Sequence, residues 1–102
     1  MLCNVPPEAG PRIAKALVEA RLAACVNVLP PVRSVYIWNG QLCEDTELTL
    51  IIKVSEQRVQ ATRERLLELH PYELPEVLVL PVDVDASHTP YVQWVRDNTR
   101  AP

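Results

Sequence analysis

One histidine, one tyrosine and two glutamates fall within the eight residues Leu69 to Glu76, read LHPYELPE. Imidazole nitrogen suits borderline cations and carboxylate oxygen suits hard ones, so His70, with a neighbouring carboxylate such as Glu73, could take part in a binding site. A connection needs only a few residues, most of them small or polar, and this one carries more chemistry than a turn requires. Pro71 and Pro75 fix their own φ and push His70 and Leu74 towards extended geometry. The segment is therefore stiff without regular hydrogen bonding, and a stiff loop can hold a site.

Each candidate also has a plain structural role. His70 follows the last turn of an expected helix, where a ring nitrogen can satisfy a free carbonyl. Cys3 can serve as a small buried hydrophobe at a strand end, and Cys25, between two apolar segments, reads as core. Cys43 stands beside Glu44 and Asp45 near an expected hairpin tip, which suits a surface or an interface, and His88 precedes Thr89-Pro90 at a helix start. Glu44, Asp45 and Glu47 read as a solvated strand surface. Arg21, Trp38, Lys53, Tyr72, Glu73 and Glu76 are candidates for a cleft or an interface between subunits, with Lys53 paired to carboxylates.

No catalytic constellation stands out. The chain has only Gly10 and Gly40, so it offers no glycine-rich phosphate loop, and neither a nucleophile elbow nor an HExxH pair occurs. The expectation is a binding protein, not an enzyme, and one without an organic cofactor. A net charge of −3, with the basic residues scattered, argues against nucleic acid as a partner. No apolar run approaches the roughly 20 residues of a membrane span, and the first residues do not resemble a signal peptide. Three cysteines at no zinc-like spacing fit a reducing cytoplasm.

The elements that must position these groups follow from spacing. At 102 residues, with 48% apolar and only 5% aromatic content, the chain should form one domain with an aliphatic core. Residues 1 to 4 suggest the stub of a strand. Pro11 opens a helix expected over about 11 to 24, with Ile13, Leu17, Ala20 and Ala24 on one stripe. CVNVLPPVRSVYIW and QLCEDTELTLIIKV flank Asn39-Gly40, the strongest short-range hairpin signal, and Pro30-Pro31 must kink the first arm. Ser55 is placed to cap a second helix carrying Val59, Leu66 and Leu67 on one side, ending at the LHPYELPE loop. Glu76 to Val84 has strand length with Pro81 inside it, and a last short helix should turn Tyr91, Trp94 and Val95 inward. The order βαββαβ plus a C-terminal helix predicts an α+β, ferredoxin-like sandwich with an antiparallel sheet.

Hairpin length adds an expectation about assembly. Arms of about 14 residues would span about 45 Å if fully extended, whereas a domain of this size is only about 34 Å across. The hairpin should project, and its Val35, Tyr36, Ile37 and Trp38 would then be apolar surface on an open edge, which natural proteins avoid. Pairing with further copies of the chain is the expected remedy.

The segments ALVEARLAACVNVLP (16 to 30), SVYIWNGQLCEDTELTLIIK (34 to 53), LHPYELPEVLVLPV (69 to 82) and PYVQWV (90 to 95) together resemble the CutA family of divalent-cation tolerance proteins. The resemblance covers most of the chain from Ala14 onward. It implies a tight homotrimer with strands paired between subunits, similar in architecture to the PII signalling proteins, and a function in tolerance to copper or another divalent cation. It also implies metal ligation at Cys3 and at His70, which matches the second histidine of a pair whose first member is here Leu69. A PII-like regulatory scaffold with a small ligand between subunits is the alternative. Family members have more strand residues before that cysteine, so the first strand is expected to be a stub or the true start to lie upstream.

Overall fold

The computed structural model describes residues 1–101. In chain order its elements are β1 (Leu2–Val5), α1 (Gly10–Glu19), β2 (Cys25–Val28), β3 (Val32–Trp38), β4 (Gln41–Lys53), α2 (Val59–Leu69), introduced by a 3-10 turn at Glu56–Arg58, and α3 (Thr89–Asp97). The fold is α+β with an antiparallel sheet in the order β1-β4-β2, as the alternation of patterns predicted. Strand β4 serves two pairings. Its residues from Leu48 onward lie between β1 and β2, and its residues Gln41 to Glu47 pair with β3 as the hairpin.

Asn39 and Gly40 both adopt positive φ (51° and 77°), the geometry of the two-residue turn that matches strand twist. Pro30-Pro31 separates β2 from β3, so the expected kink divides the first arm into two strands. The hairpin does project: the principal extents are 45 × 29 × 22 Å and the radius of gyration is 14.5 Å, above the roughly 13 Å of a compact domain of this length.

Alternation along the sheet sends Cys3 and Val5 of β1 and Leu48, Leu50 and Ile52 of β4 to one buried face. Ile13 and Leu17 of α1 and Leu66 of α2 close over it as one core. The Thr62 hydroxyl of α2 donates to the Leu22 carbonyl at 2.9 Å and ties the second helix to the segment after the first.

Three expectations are corrected. Helix α1 stops at Glu19, not near 24, because Arg21 takes a left-handed φ of 56°. The Arg21 N–H then bonds the Val18 carbonyl and the Leu22 N–H bonds the Leu17 carbonyl, a Schellman ending without glycine. The strand expected at Glu76 to Val84 is reduced to a single bridge between Leu78 and Leu2, since no other strand pairs with it among the described residues. In α3 only Val95 is buried; Tyr91 and Trp94 stack on each other at 5.5 Å on an exposed face.

Candidate metal and ligand site

His70 ends α2. Its N–H bonds the Leu66 carbonyl at 2.9 Å while its own backbone is already extended, as a residue preceding proline prefers. That extension turns the ring back towards β1. Nε2 lies 2.8 Å from the Asn4 carbonyl oxygen, and Nδ1 lies 3.2 Å from the Tyr72 N–H. A backbone N–H can only donate and a carbonyl can only accept, so Nδ1 is the acceptor and Nε2 carries the proton. The imidazole is buried, neutral and held at both nitrogens.

Cys3 alternates inward from β1 opposite Leu50 and is fully buried. Its thiol points at the same Asn4 carbonyl, 3.8 Å away. Burial, then the charges of Glu76 and Glu47, push that thiol up to about 12. The two residues proposed as ligands from sequence are thus neighbours around one carbonyl oxygen. Cys3 is a protonated thiol here, and no group of three or more His, Cys, Asp and Glu side chains is arranged to hold a metal ion among the described residues.

Beside this pair opens a cleft of about 810 Å³ between the hairpin base and the LHPYELPE loop. Tyr36, Trp38 and Tyr72 supply aromatic wall, and Asp45, Glu47, Glu73 and Glu76 supply carboxylates with no lysine or arginine among them. Tyr36 donates to the Asp45 carboxylate, and this bond holds its phenol at about 12. Burial, then hydrogen bonding and charge from Glu47, raise Tyr72 as well. Glu47, expected on a solvated strand surface, is only 7% exposed, because the strand passes from hairpin to core at this residue and folds it under the loop.

Trp38, Tyr72, Glu73 and Glu76 therefore line one cleft of the single chain, and the other two cleft candidates do not. Arg21 sits at the exposed end of α1. Lys53, at the far end of β4, reaches Asn27 and the Cys25 sulfur (3.8 Å) in place of a carboxylate. Cys25 is half-buried beside that lysine and not deep in the core, while Cys43 is half-buried on the hairpin and His88 begins α3. The sequence signal for the missed Glu47 was its place at the change from polar to apolar alternation in DTELTLII.

Residues 1–98 match the model of the CutA1 divalent ion tolerance protein family. This chain belongs to the CutA1 family. Similar proteins include the divalent-cation tolerance protein CutA of Thermus thermophilus, 45% identical over 97% of this chain and 95% of that protein. A CutA homolog of Xenopus laevis is 48% identical over 83% of this chain, which spans only 55% of its length. Among solved structures, the PII-like protein CutA from Nostoc in apo form superposes with a TM-score of 0.95 at 48% identity, covering 99% of this chain and 96% of that one. The CutA1 fold places the histidine, the thiol and the acidic cleft at the junction where β1, β4 and the loop after α2 meet.

Proposed function

We propose that this CutA1-family chain is a homotrimeric protein of divalent-cation tolerance whose cargo is copper or a similar thiophilic ion. The observation that carries this reading is the convergence of Cys3 Sγ and His70 Nε2 on the Asn4 carbonyl oxygen. Thiol and imidazole are the donor types a soft or borderline cation prefers, and Glu47 and Glu76 lie close enough to act on the thiol electrostatically. A cation entering here must displace the Cys3 proton and free the His70 nitrogen from Asn4, so binding is coupled to proton release and to a local rearrangement.

Assembly is supported by the apolar surface of a single copy. Ile37 and Leu42 at the hairpin tip are 70% and 73% exposed. The extended segment around Leu80 and Val82 is likewise exposed and its backbone has almost no strand partner. Pairing between copies would cover both and bring further donors towards the two-residue site.

Copper titration calorimetry in two buffers of different ionisation enthalpy tests the reading. The expected result is binding with proton release in the native protein, weakened at least about tenfold in His70→Ala, a loss that even outer-shell substitutions cause, and stripped of its proton release in Cys3→Ser. Equal affinity in all three proteins would remove Cys3 and His70 as ligands.

The aromatic and acidic cleft favours one second reading, a PII-like scaffold that holds a small ligand against Trp38 and Tyr72. Copper-independent ligand binding lost in Trp38→Ala but kept in Cys3→Ser would select it.

A further inference from the structure

The molecule has a second cleft, on the opposite side of the charge balance. It has a volume of about 520 Å³ and lies where the turn before α2 meets the end of α3. Arg58, Arg96 and Arg100 line it, against one carboxylate, Glu56. Ser55, Gln57 and Gln93 add neutral hydrogen-bonding groups. In a chain of net charge −3 such a concentration of guanidinium is local, not a reflection of overall composition.

The decisive atom is Arg58 Nε. It is sealed from solvent and has no hydrogen-bond partner among the described residues. A sealed donor left without an acceptor is costly, and the guanidinium of the half-buried Arg58 cannot shed its proton to escape that cost. The other two arginines are only partly engaged. Arg96 Nη2 meets Glu56 at 3.2 Å and Arg100 Nη2 meets Asp97 at 2.7 Å. Both pairs are solvent-exposed, so each is weak and easily exchanged. The cleft floor is firm, because the Ser55 and Thr99 hydroxyls hydrogen-bond each other at 2.8 Å and both residues are buried.

We propose that this cleft is an oxyanion site that takes a phosphoryl group, free or carried on a small ester. Three forked donors suit the three terminal oxygens of a phosphoryl group. The volume falls within the range of small-molecule sites and leaves room for the remainder of an ester. Arg58 contributes the guanidinium whose Nε lacks an acceptor, and Arg96 and Arg100 close on the group as they exchange their carboxylates for phosphoryl oxygens. The site is separate from the Cys3 and His70 region, and its occupancy does not depend on the metal reading.

Phosphorus NMR and calorimetric titrations with inorganic phosphate and with ribose 5-phosphate, in a low-chloride buffer, test the proposal. Saturable binding near or below about 1 mM is expected. Similar affinity for both probes assigns the site to the phosphoryl group alone, and tighter binding of the ester assigns it to an esterified ligand. Arg58→Gln should weaken binding at least about tenfold, the value of one hydrogen bond to a charged group. Glu56→Gln, which frees Arg96, should tighten it by roughly threefold, the worth of an exposed ion pair. That gain is a change a misfolded variant does not produce. Absence of saturable binding by either probe, or a titration unchanged in both variants, overturns the proposal.

Discussion

Cys3 and His70 share an acceptor: the thiol of one and the ring Nε2–H of the other both address the Asn4 carbonyl oxygen. The same contact that makes them a candidate ligand pair also gives each a structural duty. His70 fastens the loop after α2 to the first strand, so its removal should be felt in stability as well as in binding.

Replacing His70 by Phe keeps the ring volume and deletes both hydrogen bonds. It leaves the Tyr72 N–H without its acceptor and the Asn4 carbonyl without its donor. Urea unfolding should show a loss of about 1–3 kcal/mol. In the native protein, nitrogen NMR of the imidazole should report a proton on Nε2 and none on Nδ1.

Stability should fall with rising pH above about 9 on account of Cys3. The unfolded thiol ionises near its ordinary value of 9.0, whereas the folded thiol stays protonated until about 12. Between those limits the native state binds more protons than the unfolded state, so each pH unit costs up to about 1.4 kcal/mol from this group. Below pH 9 both states hold the proton and the contribution is level. Denaturation curves collected through this window should decline more steeply for the native protein than for Cys3→Ala. Equal slopes would show that the thiol is not held protonated. Thiol-specific reagents should correspondingly spare Cys3 until the chain unfolds.

The hairpin tip can be tested without touching the core. Ile37 and Leu42 are cross-strand partners and both are exposed in one copy. An Ile37→Asp, Leu42→Asp double variant should keep its circular dichroism while light scattering shows the assembly reduced towards a single chain. A trimer mass that survives the double substitution would locate the contact elsewhere.

The Tyr36 phenol should report on its neighbour. Its hydrogen bond to Asp45 holds it at about 12, so Asp45→Asn should move its ionisation down towards the ordinary value of 10.0. Ultraviolet absorbance titration reads this directly, and an unmoved transition would mean that the bond is not kept in solution.

Much of the architecture was legible because it rests on local chemistry. Asn39-Gly40 names its own turn, and Pro30-Pro31 marks its own break. The CutA resemblance pointed to Cys3 and His70, which meet at one carbonyl, and Trp38, Tyr72, Glu73 and Glu76 line one cleft of the single chain. What escaped depends on partners far along the chain. Arg21 ends a helix in a conformation usually reserved for glycine, which residue type alone does not disclose. Glu47 is buried only because a loop more than twenty residues later folds over it. Arg58, Arg96 and Arg100 are unremarkable in sequence and meet only when α3 packs beside the turn before α2. Glu76 to Val84 carries strand chemistry, but a strand needs a pairing backbone, which the described residues supply only at Leu2.

Strand β4 acts as a ruler for the whole molecule. One uninterrupted run of backbone fixes both the interior and the arm that reaches away from it, with Glu47 and Leu48 at the changeover. Side chains alternate with a period of two, so inserting a single residue at that point would leave the core in place and rotate every hairpin side chain to the opposite face. The apolar tip residues Ile37 and Leu42 would then lie on the other face. Length at this junction is thus under tighter geometric control than residue type, and substitutions in the hairpin should be accommodated far more readily than any gain or loss of one residue.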